Sequence, residues 1–261
     1  MNMEWDTLIT RSENSIFYIK MNCPETNNSL NYPLVTELNH VFDLLQENDE
    51  IKMVVLEGCN GKFCTGMDFN VIVQNDAPNA SEKSLTQMYM ELLRKLSLLN
   101  KVVIAKVEGQ VLAGGVGLCV ACDFCYATES SQFSLSEILW GLLPSMVIPY
   151  LIRKVGYKDA YQMSLTTMLY GAAKAKECGL VDEVTEDIDR EIRKLVQRVS
   201  RLQCWAIQNC KEYFRSTWMI DEEMEQRAVQ KTSSLVSDPR VRQNIENYVK
   251  YKNCLLYTSD A

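Results

Sequence analysis

Residues 15–21 alternate, with Phe17, Ile19 and Met21 on one side. This period of two predicts a strand, entered from a polar turn at 12–14. Asn31 stands where a helix N-cap belongs, with Pro33 in the first turn, where its missing N–H leaves no bond unmade. Leu34, Leu38, Val41, Phe42 and Leu45 follow at helical spacing, so this helix lays one face on the core. Residues 53–56 read as a short buried strand ending at Gly58, and a loop runs over 59–69. A second amphipathic helix carries Leu85, Met88, Leu92, Leu96 and Leu99, and a strand covers 102–107. Strands alternating with helices predict an α/β unit, in which β-β-α units recur without sharp self-similarity.

From Ala172 onward the pattern turns helical, with Gly179 as a helix stop before Leu180 and Val181. Residues 187–251 read as charged amphipathic helices, broken late at Ser237-Asp238-Pro239. A helical C-terminal region of this kind serves packing or assembly. The expected organisation is a core over 1–190 and a helical region over 191–253. The last eight residues, 254–261 (CLLYTSDA), resemble the in-frame translation of a transposase adaptor, and are set aside from fold reasoning.

The chain has 261 residues, 47% hydrophobic and 23% charged, which suits one large core with at most a small appendage. No run of about 18 apolar residues predicts a membrane-spanning helix. Residues 1–11 carry Glu4 and Asp6 and lack a basic-then-apolar leader, so a cytoplasmic location is expected. The net charge of -7 argues against non-specific nucleic-acid binding. Contact with an acidic partner would need a local basic patch.

Ten cysteines in a chain of this size do not imply a disulfide framework. Cys119, Cys122 and Cys125 form a C-x-x-C-x-x-C run inside apolar sequence with no fourth ligand at a suggestive spacing. They are read as small buried hydrophobes, and no metal is expected. His40, the only histidine, leans to solvent on the first helix.

Two glycine-bearing loops are candidates for chemistry. Residues 61–69 (GKFCTGMDF) follow a strand, and residues 113–117 (AGGVG) lie between a strand and an apolar helical stretch. Glycine lets backbone approach a ligand, and N–H groups at a helix start bind anions. Two such loops could place two donors on one developing oxyanion. They could equally serve tight helix–strand packing. The second loop lacks the Lys-Ser/Thr of a phosphate-binding loop and the spacing of a dinucleotide fingerprint.

Taken together, these motifs resemble the crotonase (enoyl-CoA hydratase/isomerase) superfamily over nearly the whole chain. The segment 101–115 (KVVIAKVEGQVLAGG) is similar to that family's strand and second oxyanion loop, and 63–69 (FCTGMDF) to its first. Residues 133–144 (FSLSEILWGLLP) resemble its glutamate-bearing segment, and 175–184 (AKECGLVDEV) its later helix–turn–strand. The resemblance implies an α/β spiral of β-β-α units with a C-terminal helical region, assembled as a homotrimer or dimer of trimers. It implies oxyanion donors at the N–H groups of Met67 and Gly114, flanked by Gly66 and Gly115, and a catalytic Glu137. The second glutamate of hydratases falls on Gly117, which has no side chain. Asp68 is a further catalytic candidate, or a cap for the next helix.

The combination of 27–31 (NNSLN), FCTGMDF, LAGGVGL and FSLSEILWGLLPS looks closest to the dehydratases of polyketide β-branching cassettes. That likeness implies dehydration of a 3-hydroxy-3-methylglutaryl group on an acyl carrier protein to a 3-methylglutaconyl thioester. No cofactor is implied beyond the phosphopantetheine or CoA arm bearing the acyl group. Lys106 and Arg153 are candidates to hold the substrate's free carboxylate, and Arg153, Lys154 and Lys158 to dock the carrier. A CoA-linked enoyl hydratase or isomerase is the alternative enzyme, and a non-catalytic assembly subunit the alternative of another class.

Overall fold

A computed structural model of the chain describes residues 4–73, 83–218 and 220–251. The terminal segment 254–261 lies outside the described residues. β1 (Leu8–Glu13) pairs antiparallel with β2 (Ile16–Met21), from Leu8 opposite Met21 to Glu13 opposite Ile16. The turn is therefore Asn14 and Ser15, with Asn14 at φ 55°. Ser12 and Glu13, expected in the turn, are strand residues on a largely exposed edge. A polar edge strand has no apolar alternation to announce it. α1 (Tyr32–Gln46) begins as expected: Asn31 Oδ1 accepts from the Leu34 N–H at 3.0 Å, and Leu34, Leu38, Val41, Phe42 and Leu45 are buried.

Three successive turns of chain then place one strand in each of two sheets. β3 (Met53–Glu57) is followed by β4 (Lys62–Cys64), β5 (Val102–Val107) by β6 (Gln110–Leu112), and β7 (Phe124–Ala127) by β8 (Gln132–Ser134). With β9 (Tyr170–Gly171) and β10 (Glu183–Val184), the sheets run β1-β2-β3-β5-β7-β10 and β4-β6-β8-β9. Pairing from β2 through β10 in the larger sheet is parallel, so each return needs a crossover. α2 (Phe69–Val73) and α3 (Leu85–Leu98) close the first, α4 (Gly114–Ala121) the second, and α5 (Ile148–Thr166) the third. This is the spiral of β-β-α units expected from the motifs. β4, β6 and β8, at three residues each, are too short to show a period in the sequence.

Both faces of the larger sheet are covered, so its strands read as nearly continuous apolar runs. Phe17, Ile19, Val54, Leu56, Val103 and Ala105 join the main core beneath α1 and α3. The alternate residues Ile16, Tyr18, Met53, Val55, Val102 and Ile104 pack on Ile188, Ile192, Val199 and Ile207. Those belong to α7 (Ile188–Val199) and α8 (Cys204–Ser216). α6 (Ala172–Glu177) ends at Cys178, with Gly179 at φ 84° beyond it.

The expected boundary at 190/191 falls inside α7, which is part of the sheet's covering layer. α9 (Glu222–Val236) adjoins α3, and its buried Glu225 pairs with Arg215 and, at 3.6 Å, with Arg94. α10 (Pro239–Tyr251) folds back over α2, burying Val241 and Ile245 against Ile72, Trp140 and Leu142. Cys119, Cys122 and Cys125 are core residues, and burial pushes the thiols of Cys119 and Cys122 well up. Among the described residues no helix is long and apolar enough to cross a membrane.

Candidate active site

The two glycine loops meet because each has shed side chains at the crossing. A Cβ on Gly115 would stand 2.3 Å from the Cys64 carbonyl oxygen. A Cβ on Gly66 would stand 2.7 Å from the Ala113 Cβ and 3.4 Å from the Gly114 nitrogen. Gly66 also sits at φ 88°, where a side chain is strained.

Each loop leaves one N–H unspent. Leu30 bridges Met67: its N–H donates to Gly66 O at 2.7 Å and its carbonyl accepts from Asp68 N at 3.0 Å. This parallel ladder passes over the intervening Met67 N–H. Leu30 is itself held by the 27–31 segment. Buried Asn28 accepts from Cys23 N–H at 2.8 Å and donates to Lys62 O at 2.9 Å. On the second loop, Gly114 opens α4, so its N–H has no acceptor one turn earlier. The preceding Ala113 takes φ 50° and ψ -119°, an unfavourable backbone for a residue with a Cβ, and its N–H is tied to Ser134 O at 2.8 Å. Strain is thus held at the residue that aims the Gly114 N–H.

Met67 and Gly114 line a cavity of about 700 Å³, together with Leu30, Asp68, Tyr89, Glu137 and Trp140. Glu137 begins a 3-10 turn (Glu137–Trp140) closed by Gly141 at φ 82°. Its Oε2 is sealed from solvent and has no hydrogen-bond partner among the described residues. Burial pushes this carboxyl up to about 7, opposed by its own N–H. A carboxyl that changes protonation near neutrality at a cavity wall is placed to take and return a proton.

Asp68 lines the cavity, but its Oδ1 accepts from Asn70 N–H and Nδ2 at 2.9 and 2.8 Å. It organises the start of α2, the capping role left open by the sequence. Lys106 and Arg153 are not at the cavity, and this corrects the expectation that they hold substrate. Lys106 shares the parity of Val102 and Ile104, which turns it to the α7 face, where it pairs with Asp189 at 2.9 Å and Glu57 at 3.6 Å. Arg153 donates to Val120 O at 3.0 Å and Lys154 to Asp123 O at 2.6 Å. Arg153 satisfies a carbonyl in the last turn of α4 and Lys154 one two residues beyond its end, as cations near a helix C-terminus do. They are therefore not a free docking patch, and only Lys158 of that trio is exposed. Among the described residues lining the cavity, Lys62 carries the cationic head, hydrogen-bonded to Gln110.

Tyr89 was not legible as a site residue. Its hydroxyl donates to Gly114 O at 2.6 Å, and it is buried at the cavity wall. A buried tyrosine needs a partner for its polar end, and that requirement was its one sequence-level signal. α10 closes the other side: Tyr248 packs on Trp140 and Phe69, with ring centroids 4.7 and 5.9 Å apart.

A β-β-α spiral brings two crossed glycine loops and one carboxyl, Glu137, to the wall of a single cavity. The enoyl-CoA hydratase/isomerase family matches residues 11–253, and the chain belongs to that family. It is an enzyme of the dehydratase/enoyl hydratase type acting on acyl thioesters. The bacillaene synthase dehydratase PksH of Bacillus subtilis is 33% identical over 246 residues, covering 94% of this chain and 95% of the relative. The solved structure of a polyketide biosynthesis enoyl-CoA hydratase (pksH) from B. subtilis superposes with a TM-score of 0.88, covering 95% of this chain and 98% of the other. Enoyl-CoA hydratase EchA19 of Mycobacterium tuberculosis is 32% identical, over 70% of this chain and 69% of its own.

Proposed function

We propose that the enzyme dehydrates a 3-hydroxy-3-methylglutaryl group carried on an acyl carrier protein, giving the 3-methylglutaconyl thioester used in polyketide β-branching. One observation carries the reading: Glu137 is the one glutamate at the inner cavity wall, its Oε2 without a partner among the described residues, while Gly117 supplies no second carboxylate. The similarity to a relative named as a bacillaene synthase dehydratase supports it. Glu137, ionised, takes the α-proton, and the electron pair passes into an enolate whose oxygen is held by the Met67 and Gly114 N–H groups. The pair then forms the Cα–Cβ double bond as the β C–O bond breaks. The departing oxygen takes the proton from Glu137, so water leaves and the carboxylate is restored. One acid–base group serves both transfers, and no cofactor enters beyond the arm that carries the acyl group.

The exposed residues Glu25 and Asn27 mark the opening by which a phosphopantetheine or CoA arm would enter. Tyr157, Tyr161 and Leu165 of α5, with Met168 and Leu169, form an exposed apolar stripe. It supports self-association, because exposed apolar patches of this kind mark association surfaces, and a homotrimer or dimer of trimers is the assembly we propose from the family resemblance.

Mass spectrometry of the carrier-bound thioester after incubation tests the activity. Loss of one water is expected, with a higher kcat/KM than for the same acyl group on CoA. Hydration of crotonyl-CoA without dehydration of the carrier-bound group would select the CoA-linked hydratase instead.

A further inference from the structure

The place of the missing glutamate is occupied. A Cβ on Gly117 would meet the Tyr89 hydroxyl oxygen at 2.1 Å and Val147 Cγ2 at 2.9 Å. Tyr89 reaches there from α3. Its single proton is spent on Gly114 O at 2.6 Å. A phenol oxygen that donates once still carries lone pairs for an incoming donor. Gly114 does not depend on this bond for its position, because Ala113 N–H is tied to Ser134 O and Gly115 is wedged against Cys64 O.

From this geometry we infer that Tyr89 is a positioning and specificity-determining residue, whose phenol oxygen accepts a hydrogen bond from the β-hydroxyl of the bound acyl group. The inference rests on the dehydratase reading above. With its proton held by Tyr89, the β-oxygen turns a lone pair toward Glu137, the group that must protonate it on departure. The phenol stays neutral throughout: burial, then the Cys64 thiol and the Glu137 carboxyl, hold its proton well above the usual tyrosine range. Tyr89 thus supplies orientation where the second glutamate of a hydratase would supply a second carboxylate. It selects acyl groups that carry a β-hydroxyl.

The test compares Tyr89→Phe with the wild type in two reactions. One is dehydration of the 3-hydroxy-3-methylglutaryl thioester. The other is solvent-deuterium exchange at Cα of the 3-methylglutaryl thioester, which lacks the β-hydroxyl. The variant should lose on the order of tenfold or more in dehydration kcat/KM, the scale of one oriented hydrogen bond, while exchange stays within about threefold. Equal losses in both reactions would show that the phenol acts only through the oxyanion loop or the fold, and would overturn the inference. Unchanged dehydration would overturn it as well. A wild type that exchanges the α-proton but dehydrates nothing would instead overturn the dehydratase reading.

Discussion

The hydroxyl oxygen of Tyr89 lies 2.1 Å from the point where a Gly117 Cβ would stand, so residues 28 positions apart share one small volume. Gly117→Ala should therefore lose about 1–3 kcal/mol, the usual result of overpacking, despite alanine's better helix propensity. Removing the hydroxyl leaves the ring carbon Cζ 3.3 Å and Val147 Cγ2 2.9 Å from the new methyl, so the worst of the overpacking is relieved but not all of it. The double variant Gly117→Ala/Tyr89→Phe should then melt higher than Gly117→Ala alone. A double-mutant cycle by thermal unfolding checks this coupling, and additive losses would refute it.

Glu137→Gln should keep the fold and reduce dehydration by on the order of a hundredfold or more. In the wild type, kcat/KM should rise with pH through about 7 and then level, because only the ionised carboxylate can take the α-proton. A profile flat from pH 5 to 8 would exclude Glu137 as the base.

Stability should respond in the opposite sense. The folded protein keeps the Glu137 proton up to about pH 7, whereas an ordinary carboxyl near 4.5 has released it in the unfolded chain. This raised value favours the folded state below about pH 4.5. The advantage is lost as pH rises toward 7, and above that the buried charge costs up to ~3 kcal/mol. Glu137→Gln should accordingly melt higher than wild type at pH 8 and close to it at pH 5.

The oxyanion loops distinguish backbone from side chain. Met67→Leu should alter turnover only mildly, since the donor proposed at this position is its backbone N–H. Gly115→Ala must push its loop off the Cys64 carbonyl, 2.3 Å away, and should cost both stability and most of the activity. Kinetics with thermal melts on the two variants would expose a failure if Met67→Leu proved the more damaging.

α10 should act as a roof over the cavity. Ile245 is fully buried with Val241 against Trp140 and Ile72. Ile245→Asp places an unpaired charge in that contact and should detach the helix. A rise in KM with secondary structure largely retained, read by kinetics and circular dichroism, is the expected outcome.

The elements that came through in the sequence are those whose pattern is local. The Asn31 cap, the α1 stripe and the 102–107 strand each repeat a period long enough to read, and the oxyanion loops carry glycines at fixed spacing. The lone Glu137 and the side-chain-free Gly117 were likewise visible as residue identities. Side-chain direction in β5 was readable in principle, because Lys106 shares the parity of Val102 and Ile104. Which face held the cavity depended on where α7 packed, a contact between residues far apart in the chain. Arg153 and Lys154 looked like a free basic pair until α4 ended beneath them and took their heads. Tyr89 sat one position from the Met88 assigned to the buried stripe; in the folded helix Tyr89 is buried and Met88 only partly so. Sequence determined which backbone donors and which carboxylate this protein has. Only tertiary structure decided that a tyrosine from another helix fills the space left at Gly117, because that volume exists only where α3 and α4 pack together.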